Sequence, residues 1–417
     1  METEERSLME NNTPEDQVVT NKKKNNKSFR NGVICGILIV VSIAASVAGI
    51  LGGFRNILFA ESDIANSTRS KLMNIEKIID SAYLYNDDID KKALEDGVYK
   101  GYVQAVGDPY TVYYTEEETK ELFESIGGEY SGIGAVLSQN IKTGAVIINN
   151  VYADSPAEKG GLKDSDTIIK IDDRELAGED LSEVVTWIRG EKGSEVVITV
   201  LRDGKEVECT VIRDVIKVET VQHEMMDDSI GYLRITEFDE VTLDQFKDNM
   251  AALEDEGMKG LVIDLRSNPG GNLDVTVEML KEILPEGVIV STKSRIGDEK
   301  VYSNSTDNTF DKPLVVLVDG YTASASEIFS GAVKDYGIGT IVGTQTFGKG
   351  IVQSILDLRD GTSLKVTVAE YFTPSGENIH GKGITPDVVV EFPEDISEIK
   401  SDIQLEKAVE IIKEQLK

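Results

Sequence analysis

The alternation of apolar and polar positions changes character several times along the chain. From Val33 to Phe54 it does not alternate at all: VICGILIVVSIAASVAGILGGF has no charged residue. A helix of that length, rising about 1.5 Å per residue, spans a hydrocarbon layer of about 30 Å. Lys22, Lys23, Lys24, Lys27 and Arg30 precede it. By the positive-inside rule they hold residues 1–32 in the cytoplasm and send the rest across the membrane. A cleaved signal peptide is the alternative. Ala60 follows the run, but Leu58 stands where a second small residue is expected, and the long polar leader favours an uncleaved anchor over 33–54.

Residues 55–127 show helical spacing. Leu72, Ile75, Ile78 and Ile79 recur three and four apart, and the pattern resumes after residue 91 until Gly107-Asp108-Pro109 breaks it. This helical region carries no catalytic signal and also reads as a plain spacer. Residues 128–217 switch to short β-rich runs: GIGAVLSQ, AVIINNVY, DTIIKIDD and EVVITVLRDGKEVECTVI. One helix interrupts them, DLSEVVTWIRG, with Asp180 and Glu183 in capping-box spacing and Gly190 as its stop. Residues 218–392 alternate apolar strands ending in glycine loops with amphipathic helices, the pattern of an α/β core. In such sheets chemistry gathers beyond the carboxyl ends of the strands. Residues 393–417 predict a charged helical tail.

Composition narrows the function. The formal net charge of −32 argues against a nucleic-acid partner. Two cysteines, Cys35 and Cys209, exclude a disulfide framework and a cysteine zinc site. Two histidines, His223 and His380, exclude any mechanism needing several. No metal-ligand cluster stands out.

Three segments of the α/β core carry candidate chemistry. DLRSNPGG (264–271) and DGYTASASE (319–327) each follow an apolar strand, and TFGKGIVQS (346–354) places Lys349 between two glycines. A serine where a buried strand turns into a helix is either an N-cap or a nucleophile sited where helix amides favour developing negative charge. A lysine can activate it only when neutral, and burial lowers the lysine pKa toward that state. Gly348 and Gly350 would let the backbone pack closely and help bury the amine.

These segments together resemble the carboxyl-terminal processing peptidases, or tail-specific proteases, from about residue 70 to the C-terminus; NIHGKGITPDVVV (378–390) looks like their closing segment. The resemblance implies an α/β serine-peptidase core of Clp/crotonase-like type in a multidomain α/β protein. It implies Ser324 as nucleophile, Lys349 as base, and Gln353 as the residue orienting the lysine. Ala325 and one of Gly270 and Gly271 would supply the oxyanion amides, which leaves Ser326 as a structural cap and Glu327 in the first helical turn. GIGA and DSPAEKGGLKDSDTIIKIDD are similar to a bacterial PDZ domain. That implies amides at Ile133, Gly134 and Ala135 holding the carboxylate of a protein or peptide substrate with a free apolar C-terminus. Those glycines could instead only make a tight entry into a strand. The family needs no metal or organic cofactor and can dimerise through its terminal regions, here 60–127 and 393–417. Two rival expectations stand beside this one: a serine hydrolase using His380 and Asp387, and a membrane-tethered PDZ scaffold on an inactive hydrolase fold.

Overall fold

The computed structural model describes residues 63–140, 143–176, 178–306, 309–393 and 401–417. The apolar run at 33–54 and the lysines before it lie outside the described residues. Among the described residues no helix is long and apolar enough to cross a membrane.

The N-terminal region is mostly helical, as its spacing predicts. It comprises α1 (Asp63–Ala82), α2 (Lys91–Gln104), β1 (Val112–Tyr114) and α3 (Glu116–Gly127). Asp90 caps α2 by accepting from the Lys92 and Ala93 amides. Thr115 and Glu118 form a capping box on α3, and Gly128 ends it at φ 63°. The short strand β1 departs from the expected run of helices: it pairs with a strand of the α/β core some 250 residues on, Val112 opposite Lys365.

The strand-rich module follows. Its strands are β2 (Glu129–Gly132), β3 (Ala135–Gln139), β4 (Val146–Val151), β5 (Thr167–Ile171), β6 (Arg174–Glu175), β7 (Glu195–Arg202), β8 (Lys205–Ile212) and β9 (Asp214–Lys217). Helices α4 (Pro156–Lys159) and α5 (Leu181–Ile188) complete it. The sheet runs β3-β4-β5-β7-β8, so β3 lies at its edge. Ile148, Val196, Ile198, Val200 and Val211, all fully buried, form its core with Val184 of α5. Asp180 caps α5 through the Ser182 amide, but Glu183 accepts from Trp187 Nε1 (3.0 Å) rather than closing a capping box. Gly190 lies beyond the extended Arg189 that ends the helix. A Cβ there would sit 2.8 Å from Arg213 Nε, so the glycine makes room for a buried guanidinium.

The core is a second, larger α/β unit. A six-stranded sheet orders β10 (Val221–Met226), β11 (Ile230–Ile235), β12 (Gly260–Asp264), β15 (Leu314–Val318), β16 (Thr340–Gly343) and β19 (Val388–Val389) as β10-β11-β12-β15-β16-β19, parallel except at β10. Every residue of β12 and β15 is buried, as expected of central strands covered on both faces. Helices α6 (Thr242–Asp255), α7 (Leu273–Lys281) and α8 (Ala325–Tyr336) contribute to the main core. The tail helix α9 (Ile403–Gln415) buries Ala408 and Ile412 against Val262, Val315 and Val342 in a separate cluster. Arg266 pins it, bonding Asp402 at the N-cap of α9 and Gln404 in its first turn as well as Asp264. A second sheet, β1-β18-β13-β14 with β17 on β18, is built from β13 (Gly287–Ser294), β14 (Glu299–Asn304), β17 (Ile351–Asp357) and β18 (Ser363–Phe372).

Candidate active site

Ser324 stands at the sharp turn between β15 and α8. Asp319 shapes that turn: its carboxylate accepts from the amides of Ser267, Tyr321 and Thr322. Thr322 Oγ1 donates to the Leu265 carbonyl (2.9 Å), which ties the turn to the end of β12. Ser324 itself adopts φ 56°, ψ −109°, a conformation costly for a residue with a Cβ. Such strain costs about 1–3 kcal/mol and persists only where the surroundings enforce it. Here the Tyr371 hydroxyl donates to the Ser324 carbonyl (3.1 Å) and Glu327 Oε2 accepts from the Ser324 amide (2.8 Å).

Ser326 is not the cap that its position suggests. Its hydroxyl donates to the Asn268 carbonyl (3.1 Å), across the gap to the glycine loop. The Glu327 amide instead donates to the Ser324 carbonyl (2.8 Å). The loop is fixed by Asn268, whose Nδ2 donates to the Ile235 carbonyl and whose Oδ1 accepts from the Gly270 amide (2.8 Å). Gly270, at φ 105°, lies so close that a Cβ would meet the Ala323 carbonyl at 2.7 Å and the Ala325 nitrogen at 2.9 Å. Gly271 runs beside Phe238, where a Cβ would fall 2.3 Å from a carbonyl oxygen. Only glycine fits either place.

Lys349 is buried, with 1% of its surface exposed. Its flanking glycines meet the 378–384 segment. A Cβ on Gly350 would stand 2.5 Å from the His380 nitrogen, and one on Gly348 2.9 Å from that of Gly383. Burial drives the amine pKa down to about 7, with Lys365 pushing the same way and Asp108 and Glu327 opposing. The amine lies 4.3 Å from the centre of the Tyr110 ring.

Glu327 joins the two halves of the site. Its carboxylate accepts four bonds: from the Ser324 and Lys349 amides at one oxygen, 2.8 Å each, and from the Gly348 amide and Thr346 Oγ1 at the other. Thr346 Oγ1 accepts from the Ile384 amide, so its own hydrogen is free for Glu327. Burial raises the Glu327 pKa, while these four donors favour the charged form. From sequence alone this residue is only an acidic side chain in a first helical turn.

Gln353 is also buried, but its amide nitrogen bonds Thr367 Oγ1 (3.4 Å) on the neighbouring strand. Thr367 Oγ1 donates in turn to Asp108 Oδ2 (2.6 Å). The turn at 107–109, read from sequence as a helix breaker, thus reaches the site. His380 is exposed, and its amide donates to Asn378. Asp387 is committed elsewhere, to the Ile341 amide (2.9 Å) and the Lys334 amine (3.1 Å). The two do not form a histidine–carboxylate pair.

In the strand-rich module Ile133 and Gly134 are buried. Their carbonyls accept from the Ala157 and Tyr152 amides, and Gly134 (φ 77°) presses against Ser155. Ala135 opens edge strand β3, whose far end is tied to α5 by the Gln139 carboxamide, accepting from the Leu181 amide.

A model of peptidase family S41 matches residues 229–390, and a PDZ-domain model matches residues 131–212. The Carboxy-terminal processing protease CtpA of Bacillus subtilis (strain 168) is 37% identical over 361 residues, covering 86% of this chain and 77% of that protein. The Probable CtpA-like serine protease of Staphylococcus aureus (strain MSSA476) is 34% identical over 364 residues, 87% of this chain and 72% of that one. Among solved structures, a photosystem II D1 C-terminal processing protease aligns at 28% identity and a TM-score of 0.45, over 78% of this chain and 90% of its own.

Proposed function

The chain belongs to peptidase family S41 as a serine-type carboxy-terminal processing protease with a PDZ domain, and on that premise we propose that it works by a Ser324–Lys349 dyad. Neutral Lys349 accepts the Ser324 proton as Oγ bonds to the scissile carbonyl carbon. The carbonyl π pair moves to oxygen, and the amides of Ala325 and Gly271 receive that charge. Gly271 is the better candidate of the two glycines because the Gly270 amide is already given to Asn268. The lysine then returns its proton to the leaving amine as the C–N bond breaks; water attacks the acyl carbon, giving its proton to Lys349, and the Oγ–C bond breaks as Ser324 takes that proton back and the carboxylic acid leaves. One observation carries this reading: a lysine 1% exposed, its amine pKa driven down to about 7, has a backbone amide that shares one Glu327 carboxylate oxygen with the backbone amide of Ser324.

The test is non-additivity. Ser324→Ala and Lys349→Ala should each nearly abolish cleavage of an unfolded protein, and the double variant should be little worse than the worse single one. Lys349→Arg should fail too, because a guanidinium does not give up its proton. Full activity in Lys349→Ala with loss in His380→Ala would promote the histidine rival, to which the exposed His380 and the committed Asp387 lend no support.

The amides of Ile133, Gly134 and Ala135 hold the substrate's terminal carboxylate while its tail adds to β3, and tail binding gates the core. The open edge of β3 beside α5 supports this. Residues 33–54 anchor the chain in the cell membrane as a single pass, with the catalytic part outside the cytoplasm; release by alkaline carbonate extraction would contradict it. Exposed Ile78, Leu84, Tyr102 and Val106 in the N-terminal region support a homodimer through that region, which sedimentation of the full chain reads directly.

A further inference from the structure

Lys365 has no evident reason to be where it is. It lies on β18 with 5% of its surface exposed, between Val112 of β1 and Ile355 of β17. Its amine stands 5.2 Å from the centre of the Tyr114 ring. Neither it nor Lys349 makes an ion pair within 4.0 Å among the described residues. A buried cation is expensive unless paired. Two of them in one region, neither paired, are a liability that packing alone would remove by exchanging Lys365 for an apolar residue.

The turn ahead of β1 supplies the opposite charge. Asp108 accepts from Thr111 Oγ1 and Thr367 Oγ1, 2.6 Å each, and from the Tyr110 amide at 3.0 Å. Burial works against its charge, but these bonds outweigh burial and hold its pKa below the ordinary carboxyl value. Two contacts therefore lead from Asp108 to the site. Tyr110, next but one in the chain, lays its ring under the Lys349 amine. Thr367, two residues from Lys365 on the same strand, receives Gln353.

We infer that Asp108 and Lys365 are positioning residues for the base: one anion and one cation, brought by the N-terminal region and β18, set the electrostatic surroundings of the Lys349 amine and hold the Gln353–Thr367 chain beside it. This rests on Lys349 being the base. The other titratable groups around the amine are Tyr110 beneath it and Glu327 on α8; Tyr371, further along β18, bonds the Ser324 carbonyl, and Tyr114 of β1 lies beside Lys365. Burial pushes the phenols of Tyr110 and Tyr371 up, so they stay neutral near pH 7. Lys365, depressed by burial only to about 8, stays largely charged there. The signs follow. A fixed anion favours the ammonium, so losing Asp108 lowers the pKa of Lys349. A neighbouring cation disfavours it, so losing Lys365 raises that pKa.

The experiment reads Lys349 without turnover. The full chain carrying Ser324→Ala is labelled with trace acetic anhydride across a pH series, and modification of Lys349 is measured by mass spectrometry. Adding Asp108→Asn should shift the Lys349 midpoint down, and adding Lys365→Met should shift it up, each by about half a pH unit or more. The acid limb of kcat/KM in the serine-containing variants should move the same way. A merely structural role would give shifts of one sign or none, and either result overturns the inference. Should Asp108→Asn not fold, Lys365→Met and Lys365→Arg decide alone: the first must raise the midpoint and the second must leave it. A cleaving Lys349→Ala enzyme would reject the dyad, whereas an unmoved labelling midpoint would reject only the positioning.

Discussion

Glu327 shows how much one side chain settles. All four of its partners donate, so an ionised carboxylate satisfies them and a carboxamide cannot. Glu327→Gln would turn an NH2 toward two donors and leave them unpaired. The expected cost is about 1–3 kcal/mol per orphaned buried donor, read as a lower denaturant midpoint. Labelling of Ser324 by a fluorophosphonate should fall with it, because the strained turn and the lysine loop lose their common anchor. Unchanged stability and labelling would remove Glu327 from this role. At this scale the sequence was partly legible. Ser324 and Lys349 stood out by motif, and Gly348 and Gly350 by the burial they permit. Asp108, Thr367 and Lys365 did not, because their meaning arises from contacts between residues more than 250 positions apart.

Elements long enough to repeat a period were legible; those defined by a distant partner were not. The buried strands β12 and β15 and the helices around them follow from apolar runs and spacing. Strand β1 is three residues long and exists because β18 offers it an edge. The capping box expected on α5 failed because Trp187 competes for Glu183. The tail helix α9 was legible as a helix but not as part of the core, which depends on Arg266 reaching Asp402. The PDZ groove yields a prediction at this scale. Peptides with a free apolar C-terminus should bind the full chain carrying Ser324→Ala, and C-terminal amidation should abolish binding, as read by fluorescence anisotropy. Equal binding of amidated peptides would reject the carboxylate role of residues 133–135.

Across the whole molecule, the N-terminal region, the strand-rich module and the core are linked through a narrow set of connections. Gly128 ends α3, and a Cβ there would stand 2.5 Å from Val241 of the core. The ribbon of β2 and β9 then leads into and out of the PDZ module. Through β1 and the turn before it, the region ahead of the PDZ module also reaches Lys349, so the candidate site draws on chain from both sides of that module. Catalysis by the dyad requires Lys349 to serve as a neutral base near pH 7. The rate at which a fluorophosphonate acylates Ser324, followed from about pH 5 to about pH 10, tests this most directly. The rate should rise with pH to a plateau, with its midpoint near the lowered lysine pKa of about 7, and Lys349→Ala should abolish both the rise and nearly all the rate. A rise that survives in Lys349→Ala, or that disappears instead in His380→Ala, would contradict the account.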